Sequence, residues 1–506
     1  MAVLHDLFQN LSTVLVVVIT LAAYALYRNT RRPEGFPPGP LALPIIGNFH
    51  LFYFAKAPQD VFRKLWEKYG AIYSLKFGSS DMVMLNTIEV VKEALVKKAV
   101  EFSGRPQIYS VGLFTDGFKD IALANYGAQW RFQRKLGHLA IRHFAKKEQI
   151  EKLVFSVTPR IAEALDKLGE KPFAPKYTIG QIVFNILATM CFAKQYEFNQ
   201  PDLMELIDVI SQEEKISANG LPADYFKVFQ YIPTRLEAKY KQIIKPYFDM
   251  LYAELEKHRD KFDPENIRDF FDSLLLAQKE ATDAGEEEAY RLTDSHLIQT
   301  VSDIFLAGTG TTTLTLHWAV ALMAEHPDIQ EKVAMEIDDV VGRDRLPTLD
   351  DRGSLPYTEA AILENSRFGS VAPHGVPHTA MVDTTLCGYR IHKDTMVVIN
   401  HLGLHYDPNV WPEPEKFKPE RFLNDNGQLF PKLPENFLPF SIGRRVCLGE
   451  DFAKKEVFLL FSWLFSRYTF YKVPGKEKET VLKLNEALKF NHQPLDEMEV
   501  CVKKRF

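Results

Sequence analysis

Cysteine is scarce. The 506 residues contain four, Cys191, Cys387, Cys447 and Cys501, far apart and with no C-x-x-C pair. That spacing argues against a disulfide framework and against a structural zinc site, and it suits a reducing, cytosol-facing environment. An excess of one charge is also lacking. The formal net charge is -5, and Lys and Arg are spread along the chain, so the basic footprint of a nucleic-acid binder is missing and no nucleic-acid partner is expected. No internal repeat, low-complexity tract or long polar linker follows residue 40, which makes one large mixed domain the simpler reading despite the length. With 46% hydrophobic residues and 37 phenylalanines, such a domain can bury a large apolar core.

What is present begins with an uncharged run. Residues 11–27, LSTVLVVVITLAAYALY, carry no charge over seventeen positions, a length that just spans a thin bilayer once its flanks are added. Asp6 precedes the run and Arg28, Arg31 and Arg32 follow it, an order that places the bulk of the chain on the cytoplasmic side. A cleaved signal peptide would carry its charge on the other flank and end in small residues. Residues 1–32 are therefore expected to form a membrane anchor with an N-terminal transmembrane helix. Pro33-Glu34-Gly35-Phe36-Pro37-Pro38-Gly39-Pro40 comes next, and its prolines favour a stiff, extended hinge over residues 33–40. Residues 41–506 make up the main domain.

Within that domain, β-like runs at residues 71–78 and 82–85 predict a hairpin of a small sheet. Helical patterns dominate afterwards, so the class is mainly α with small β-sheets. The longest pattern runs over residues 293–326, with Thr293 as N-cap and Pro327 as the stop, and would be on the order of 50 Å long. Its middle, Ala307-Gly308-Thr309-Gly310-Thr311-Thr312-Thr313, is rich in glycine and β-branched threonine, which predicts a kink or a widened groove. The plain alternative is a packing groove for a neighbouring helix. Trp130 and Arg134 share one helix face, as do Glu364 and Arg367, whose default reading is a surface ion pair. Residues 395–400 are β-like, with residues 388–391 as a candidate partner. Phe452, Glu456, Leu459, Leu460, Trp463 and Leu464 predict an amphipathic helix with its apolar side inward.

Just before that helix lies Phe440-Ser441-Ile442-Gly443-Arg444-Arg445-Val446-Cys447-Leu448-Gly449. A sulfur at a helix start sees unpaired N–H groups and the positive end of the dipole, both of which favour a thiolate. Arg444 and Arg445 push the same way. Gly443 and Gly449 allow close backbone approach to a flat ligand, and Phe440 supplies an apolar wall. A lone cysteine is by default an inert small hydrophobe; these neighbours argue for a metal-binding thiolate.

The stretch resembles the haem-binding signature F-x-x-G-x-R-x-C-x-G of the cytochrome P-450 superfamily at every fixed position: Phe440, Gly443, Arg445, Cys447 and Gly449. The resemblance covers the chain from the hinge to the C-terminus. It implies the P-450 fold, with the long central helix over a haem b (iron protoporphyrin IX) whose axial ligand is Cys447, a thiolate that favours O–O cleavage. Trp130 and Arg134 look like the W-x-x-x-R pair that reaches a haem propionate, and Arg105 and His378 stand where relatives place further propionate partners. Glu364-x-x-Arg367 with Pro419-Glu420-Arg421-Phe422 resembles a buried brace for the cysteine loop. The oxygen-activation motif A/G-G-x-D/E-T-T aligns with Ala307, Gly308, Thr311 and Thr312, and here the chain departs: Gly310 stands where an acid is usual. Thr311 remains as the hydroxyl that can bond the distal oxygen, and Asp303, two turns earlier, is too far to substitute. Arg367-Phe368-Gly369-Ser370 departs too from the usual R-x-R-P.

Residues 102–107, 130–136 and 371–378 look most like steroid 17-alpha-hydroxylase/17,20-lyase and its animal microsomal relatives. This implies an NADPH- and O2-dependent monooxygenase of a lipophilic, steroid-like substrate, with C–C lyase activity as an extension. The setting it implies is the endoplasmic reticulum membrane, where NADPH-cytochrome P-450 reductase would supply electrons and cytochrome b5 is a second candidate partner. Arg131, Lys135, Arg142, Lys146, Lys147, Lys454 and Lys455 are candidates for an acidic partner's docking patch. Residues 200–240 would roof the substrate pocket. Two other readings stand beside this one: a haem-thiolate isomerase or dehydratase of an oxygenated lipid that needs no reductase, kept open by Gly310, and a non-catalytic, membrane-tethered haem sensor.

Overall fold

The computed structural model describes residues 15–17, 19, 20, 24, 30–53, 55, 58–78, 80–476 and 498–506. Most of the expected anchor lies outside them, and among the described residues no helix is long and apolar enough to cross a membrane. The hinge is pinned to the domain. Phe36 is buried, and Ser74 donates through its amide to the Pro38 carbonyl at 2.7 Å and through its hydroxyl to Pro37 at 2.7 Å.

Helices dominate, as their patterning requires. Those used below are α1 (Tyr109–Phe114), α2 (Ala128–Phe144), α3 (Pro175–Phe192), α4 (Pro201–Asn219), α5 (Arg235–Asp260), α6 (Asp294–Glu325), α7 (Pro356–Gly369) and α8 (Glu450–Arg467). The main sheet has β1 (Ile72–Phe77), β2 (Ser80–Leu85), β3 (His378–Thr379) and β4 (Met396–Ile399), in the order β1-β2-β4-β3. The expected hairpin forms, with Ile72 opposite Leu85. The expected partner of β4 does not pair with it. Strand Tyr389–Ile391 instead makes its own hairpin with Thr384–Leu386, while β4 runs parallel to β2, Met82 opposite Met396. Val397, Val398 and Ile399 are all buried, and a strand apolar on both faces needs the central place in a sheet.

Helix α6 runs unbroken for 32 residues, about 48 Å at ~1.5 Å per residue. Thr293 caps it in a box with His296. The backbone stays α-helical through its glycine–threonine middle. The hydroxyls of Thr309, Thr311 and Thr315 donate to the carbonyls of Phe305, Ala307 and Thr311 at 2.6, 2.7 and 2.8 Å, so the side chains fold back on the turn before them. Helix α8 is not amphipathic. Every residue from Glu456 to Ser466 is buried, as expected for a helix enclosed by neighbours on all sides. Together α3, α6 and α8 carry the main core, with Phe184, Phe305, Trp318, Leu459 and Phe461 among its buried members.

Candidate active site

The loop before α8 turns back on itself: the Cys447 amide donates to the Phe440 carbonyl at 3.0 Å. Gly443 is obligatory in that turn. Its φ is +83°, and a Cβ there would sit 2.2 Å from the Leu95 carbonyl oxygen, a conformation and a contact that only glycine tolerates. Gly449 is different. It caps α8 with φ near -90°, and a Cβ there would meet nothing closer than Ile141 at 3.8 Å; neither the turn nor the packing demands a glycine. Its amide does serve the sulfur, as a hydrogen-bond donor that favours the thiolate.

Cys447 lies two residues ahead of the cap of α8. The sulfur is exposed to a groove of about 810 Å3 lined by Tyr126, Trp130, Arg134, Arg444, Cys447 and Lys454 among others. The rest of its surroundings are protein, and this burial pushes the thiol above its ordinary value; the Gly449 amide, Arg134 and Lys454 pull the other way without overcoming it. The helix start favours the thiolate as expected, through the Gly449 amide, whereas the expected help from Arg444 and Arg445 comes from Arg134 and Lys454 instead. Arg445 turns away from the sulfur toward backbone carbonyls, and Arg444 toward Tyr126. Ionisation is left for a bound cation to drive, because a coordinating metal deprotonates a thiol outright.

Beside the loop sit three guanidinium groups. Arg445 is buried and donates to the carbonyls of Ser103 at 2.9 Å, Ile121 at 3.2 Å and Ala124 at 2.7 Å, with its charge 3.9 Å from the Trp130 ring centre. Arg105, also buried, donates to Ala122 at 2.9 Å, Val376 at 2.8 Å and Pro377 at 2.9 Å. Arg134 donates to Val446 and lies over the Trp130 ring. Trp130 itself is buried and donates to Ile121 at 2.8 Å. Buried His378 bonds the Phe102 carbonyl at 2.8 Å, and burial beside Arg105 holds its imidazole well below the usual range, hence neutral.

Burial and mutual repulsion lower Arg445 to about 9, and burial lowers Arg105 to about 10. The carboxylate within reach of both is Asp120, one of whose oxygens is buried without a hydrogen-bond partner. A positive excess held by neutral carbonyls is what a ligand with two carboxylates would relieve. Haem, the group implied by the sequence resemblance, carries two propionates and an iron that a free thiol can ligate, so these residues fit it.

The second candidate surface is α6. Ala307 and Thr311, one turn apart, are exposed in the middle of a helix whose flanking residues Val301, Phe305 and Leu316 are buried, so this face borders a cleft. Gly308 looks elsewhere: a Cβ on it would sit 2.9 Å from Leu187 of α3, which makes it a helix-crossing residue. Thr312 is buried and turned toward Glu456 of α8, its hydroxyl 3.4 Å from a carboxylate oxygen. Gly310 adds no acid to the cleft. Asp303 cannot stand in, because it accepts the Ile121 and Ala122 amides at 2.5 and 3.3 Å.

The Glu364–Arg367 pair is not on the surface. Both are fully buried, joined by two bonds of 2.7 and 2.8 Å, and Arg421 adds a third at 3.0 Å to Glu364. Arg367 also donates to the His405 carbonyl at 2.8 Å. His405, which sequence reasoning missed, accepts the Leu438 amide at 3.1 Å, so the brace reaches the cysteine loop two residues ahead of Phe440. The departure at Gly369-Ser370 has a packing reason at its first position, since a Cβ on Gly369 would meet Trp318 of α6 at 2.9 Å. Of the basic candidates, Lys135, Lys147, Lys454 and Lys455 pair with Glu286, Asp350, Glu450 and Asp451.

Comparison with known proteins adds to this geometry. A family model described as Cytochrome P450 matches residues 37–496. The chain is 34% identical over 508 residues to cytochrome P450 2U1 of Bos taurus, covering 94% of this chain and 90% of that protein. It is 34% identical over 511 residues to cytochrome P450 1A5 of Gallus gallus, covering 97% and 95%. It is 35% identical over 472 residues to steroid 17-alpha-hydroxylase/17,20 lyase of Ictalurus punctatus, covering 91% and 90%.

Proposed function

Since the chain belongs to the cytochrome P450 family, a family of monooxygenases that bind haem b through a cysteine thiolate, we propose that Cys447 is that thiolate and that the protein hydroxylates a lipophilic, steroid-like substrate. The observation that carries the assignment is the sulfur open to a groove, with three guanidiniums beside it that have a single carboxylate, Asp120, within reach of two of them. Arg105, Arg134 and Arg445, with Trp130 and His378 packed among them, would hold the propionates. When bound, the haem supplies the oxidising chemistry. The chain's own residues set its surroundings: Gly443 and the Phe440 carbonyl fix the loop, the Gly449 amide steadies the sulfur, the Glu364–Arg367 brace holds the loop's far end, and Thr311 offers a hydroxyl to the cleft.

Electrons would come from NADPH through a membrane-bound flavoprotein reductase, with cytochrome b5 as a second donor. The endoplasmic reticulum membrane is the proposed setting. It is supported by an apolar surface on two touching segments: Leu41, Leu43, Ile45, Ile46 and Tyr53 on one, Val228, Tyr231 and Ile232 on the other, all exposed, with the Phe49 and Tyr225 rings 5.3 Å apart between them. The steroid-like substrate rests on the motif resemblance; identity is equal, within a point, to relatives with three different names. Gly310 favours one second reading, an isomerase or dehydratase of an oxygenated lipid that needs no reductase.

The test begins with the CO complex of the reduced protein. The strongly red-shifted Soret band of a haem-thiolate is expected, and Cys447→Ser should abolish it; a wild-type protein without that band sinks the assignment. Reconstitution with reductase and NADPH against a steroid panel, ranked by ligand-induced spin shift, then reads the substrate. Turnover of a lipid hydroperoxide without electrons, and no NADPH-dependent product, would favour the isomerase.

A further inference from the structure

A single loop ahead of α2 serves three members of the cluster beside Cys447. The carbonyls of Ile121, Ala122 and Ala124 accept hydrogen bonds from Trp130, Arg105 and Arg445, and the Asn125 side chain accepts the Arg105 amide at 2.9 Å. The amides of Ile121 and Ala122 donate the other way, to Asp303 of α6. At the head of this loop stands Asp120. It is wholly buried; one carboxylate oxygen accepts the Leu123 amide, and the other has no hydrogen-bond partner among the described residues. An ionised group so placed is costly unless opposite charge lies near it. Arg105 and Arg445 direct their hydrogen bonds to carbonyls and form no ion pair with it, yet their charges pull its carboxyl down against the burial that raises it. Asp303 is the second acid in range, and burial together with the Asp120 charge pushes it well above the usual carboxylate range. Of the two acids, Asp120 is the one with the arginines for neighbours, and it carries the charge.

The turn alone does not explain an acid here. An asparagine oxygen would accept the Leu123 amide equally well; what asparagine lacks is the charge. In the haem reading, the guanidiniums of Arg105, Arg134 and Arg445 meet two propionates, and one positive charge is left over. His378 is neutral and does not add to it. We propose that Asp120 is a positioning residue for the haem: the resident anion that cancels this excess, acting through Arg105 and Arg445, and so sets how readily the bound iron accepts an electron. This rests on the haem-thiolate assignment of Cys447. No bond forms or breaks at Asp120. The electron comes from the reductase, and the carboxylate stays ionised before and after it arrives.

Two readouts on the full-length, haem-loaded protein test this, and neither needs turnover. In a spectroelectrochemical titration, Asp120→Asn should move the one-electron midpoint to a more positive potential by about 59 mV, a tenfold change in the equilibrium, which is roughly what a unit charge on the order of 10 Å away contributes at an effective dielectric of about 20. Asp120→Ser, whose hydroxyl can also close the turn, should shift the midpoint the same way and serves equally if the Asn variant does not fold. Asp120→Glu keeps the charge and should keep the wild-type midpoint. Transfer of haem to apomyoglobin should slow by up to about tenfold in the two uncharged variants, because the propionates then meet the arginines without a competing anion. A midpoint that is unmoved or more negative in both Asp120→Asn and Asp120→Ser overturns the proposal, and faster haem loss with an unmoved midpoint would make Asp120 a purely structural turn residue. A wild type with no haem-thiolate CO band fails the assignment of Cys447 itself, a failure distinguishable from the first because the band is read before any midpoint.

Discussion

At the scale of single residues, burial decides the charge states. His401 shows it most simply: it is buried, and loss of water lowers its imidazole to about 4 from 6.5. The sign follows from proton counting. Between 6.5 and 4 the unfolded chain binds the proton and the folded one does not, so stability is full above 6.5 and is lost as pH falls. Each pH unit in that window costs about 1.4 kcal/mol. Replacing His401 with Gln should remove that slope. The check is urea midpoints at pH 7, 6 and 5: the wild type should lose more than the variant by about 0.7 kcal/mol between pH 7 and 6 and by about 1.2 kcal/mol between pH 6 and 5, and equal slopes would show that the imidazole is solvated. The same burial overrides the sequence logic at Cys447. Dipole and neighbouring arginines were legible in the residues, whereas the desolvation that outweighs them is a property of the folded surroundings. Gly443 and Gly449 make the same point, since equivalent letters in one motif turn out to be held for different reasons.

At the scale of elements, periodicity and caps were good guides where an element satisfies itself. The ends of α6 fall within two residues of their signals, because Thr293 and Pro327 act locally. The hairpin of β1 and β2 is equally local. Reading failed where a distant partner decides: β4 joins β2 from some three hundred residues away, and α8 is enclosed by helices its own pattern cannot announce. The Glu364–Arg367 pair is the sharpest case, because an i,i+3 ion pair looks the same in sequence whether it is exposed or buried. Burial changes its worth. An exposed pair contributes ~0–1 kcal/mol, whereas removing one partner of a buried pair costs about 3–5 kcal/mol through the charge left behind. Arg367→Leu should lose that much in chemical denaturation, and because Arg367 holds the His405 carbonyl, it should also lower the haem content of purified protein. A loss under 1 kcal/mol would mean that Arg421 alone balances Glu364.

At the scale of the whole molecule, the proposed membrane setting asks which side of the domain would meet a bilayer. A folded domain seldom leaves a large apolar patch in water without a use for it. Here Tyr231 is 85% exposed, Val228 60% and Ile232 48%, beside Leu41 at 76% and Tyr53 at 83%. These side chains belong to short segments at the edge of the β1–β2 sheet and ahead of α5, far apart in sequence and joined by the Phe49–Tyr225 contact. The hinge is pinned to β1, so the chain leaving toward residue 32 starts from the same side of the domain as the first of these segments. A surface of this kind would rest in the interface and add to whatever hold residues 11–27 provide, by about 0.8 kcal/mol per buried CH2. The prediction is made on the chain from residue 33 onward, so that the anchor does not mask the effect. Val228→Ser, Tyr231→Ser and Ile232→Ser together should weaken binding to neutral phospholipid vesicles by at least about tenfold, or ~1.4 kcal/mol, with the CO spectrum unchanged. The same three substitutions at the exposed but scattered Val340, Met335 and Val382 should leave vesicle binding as it was. If both triples behaved alike, the patch would not be the membrane face, and the orientation of the cleft relative to the bilayer would have to be sought on another side of the domain.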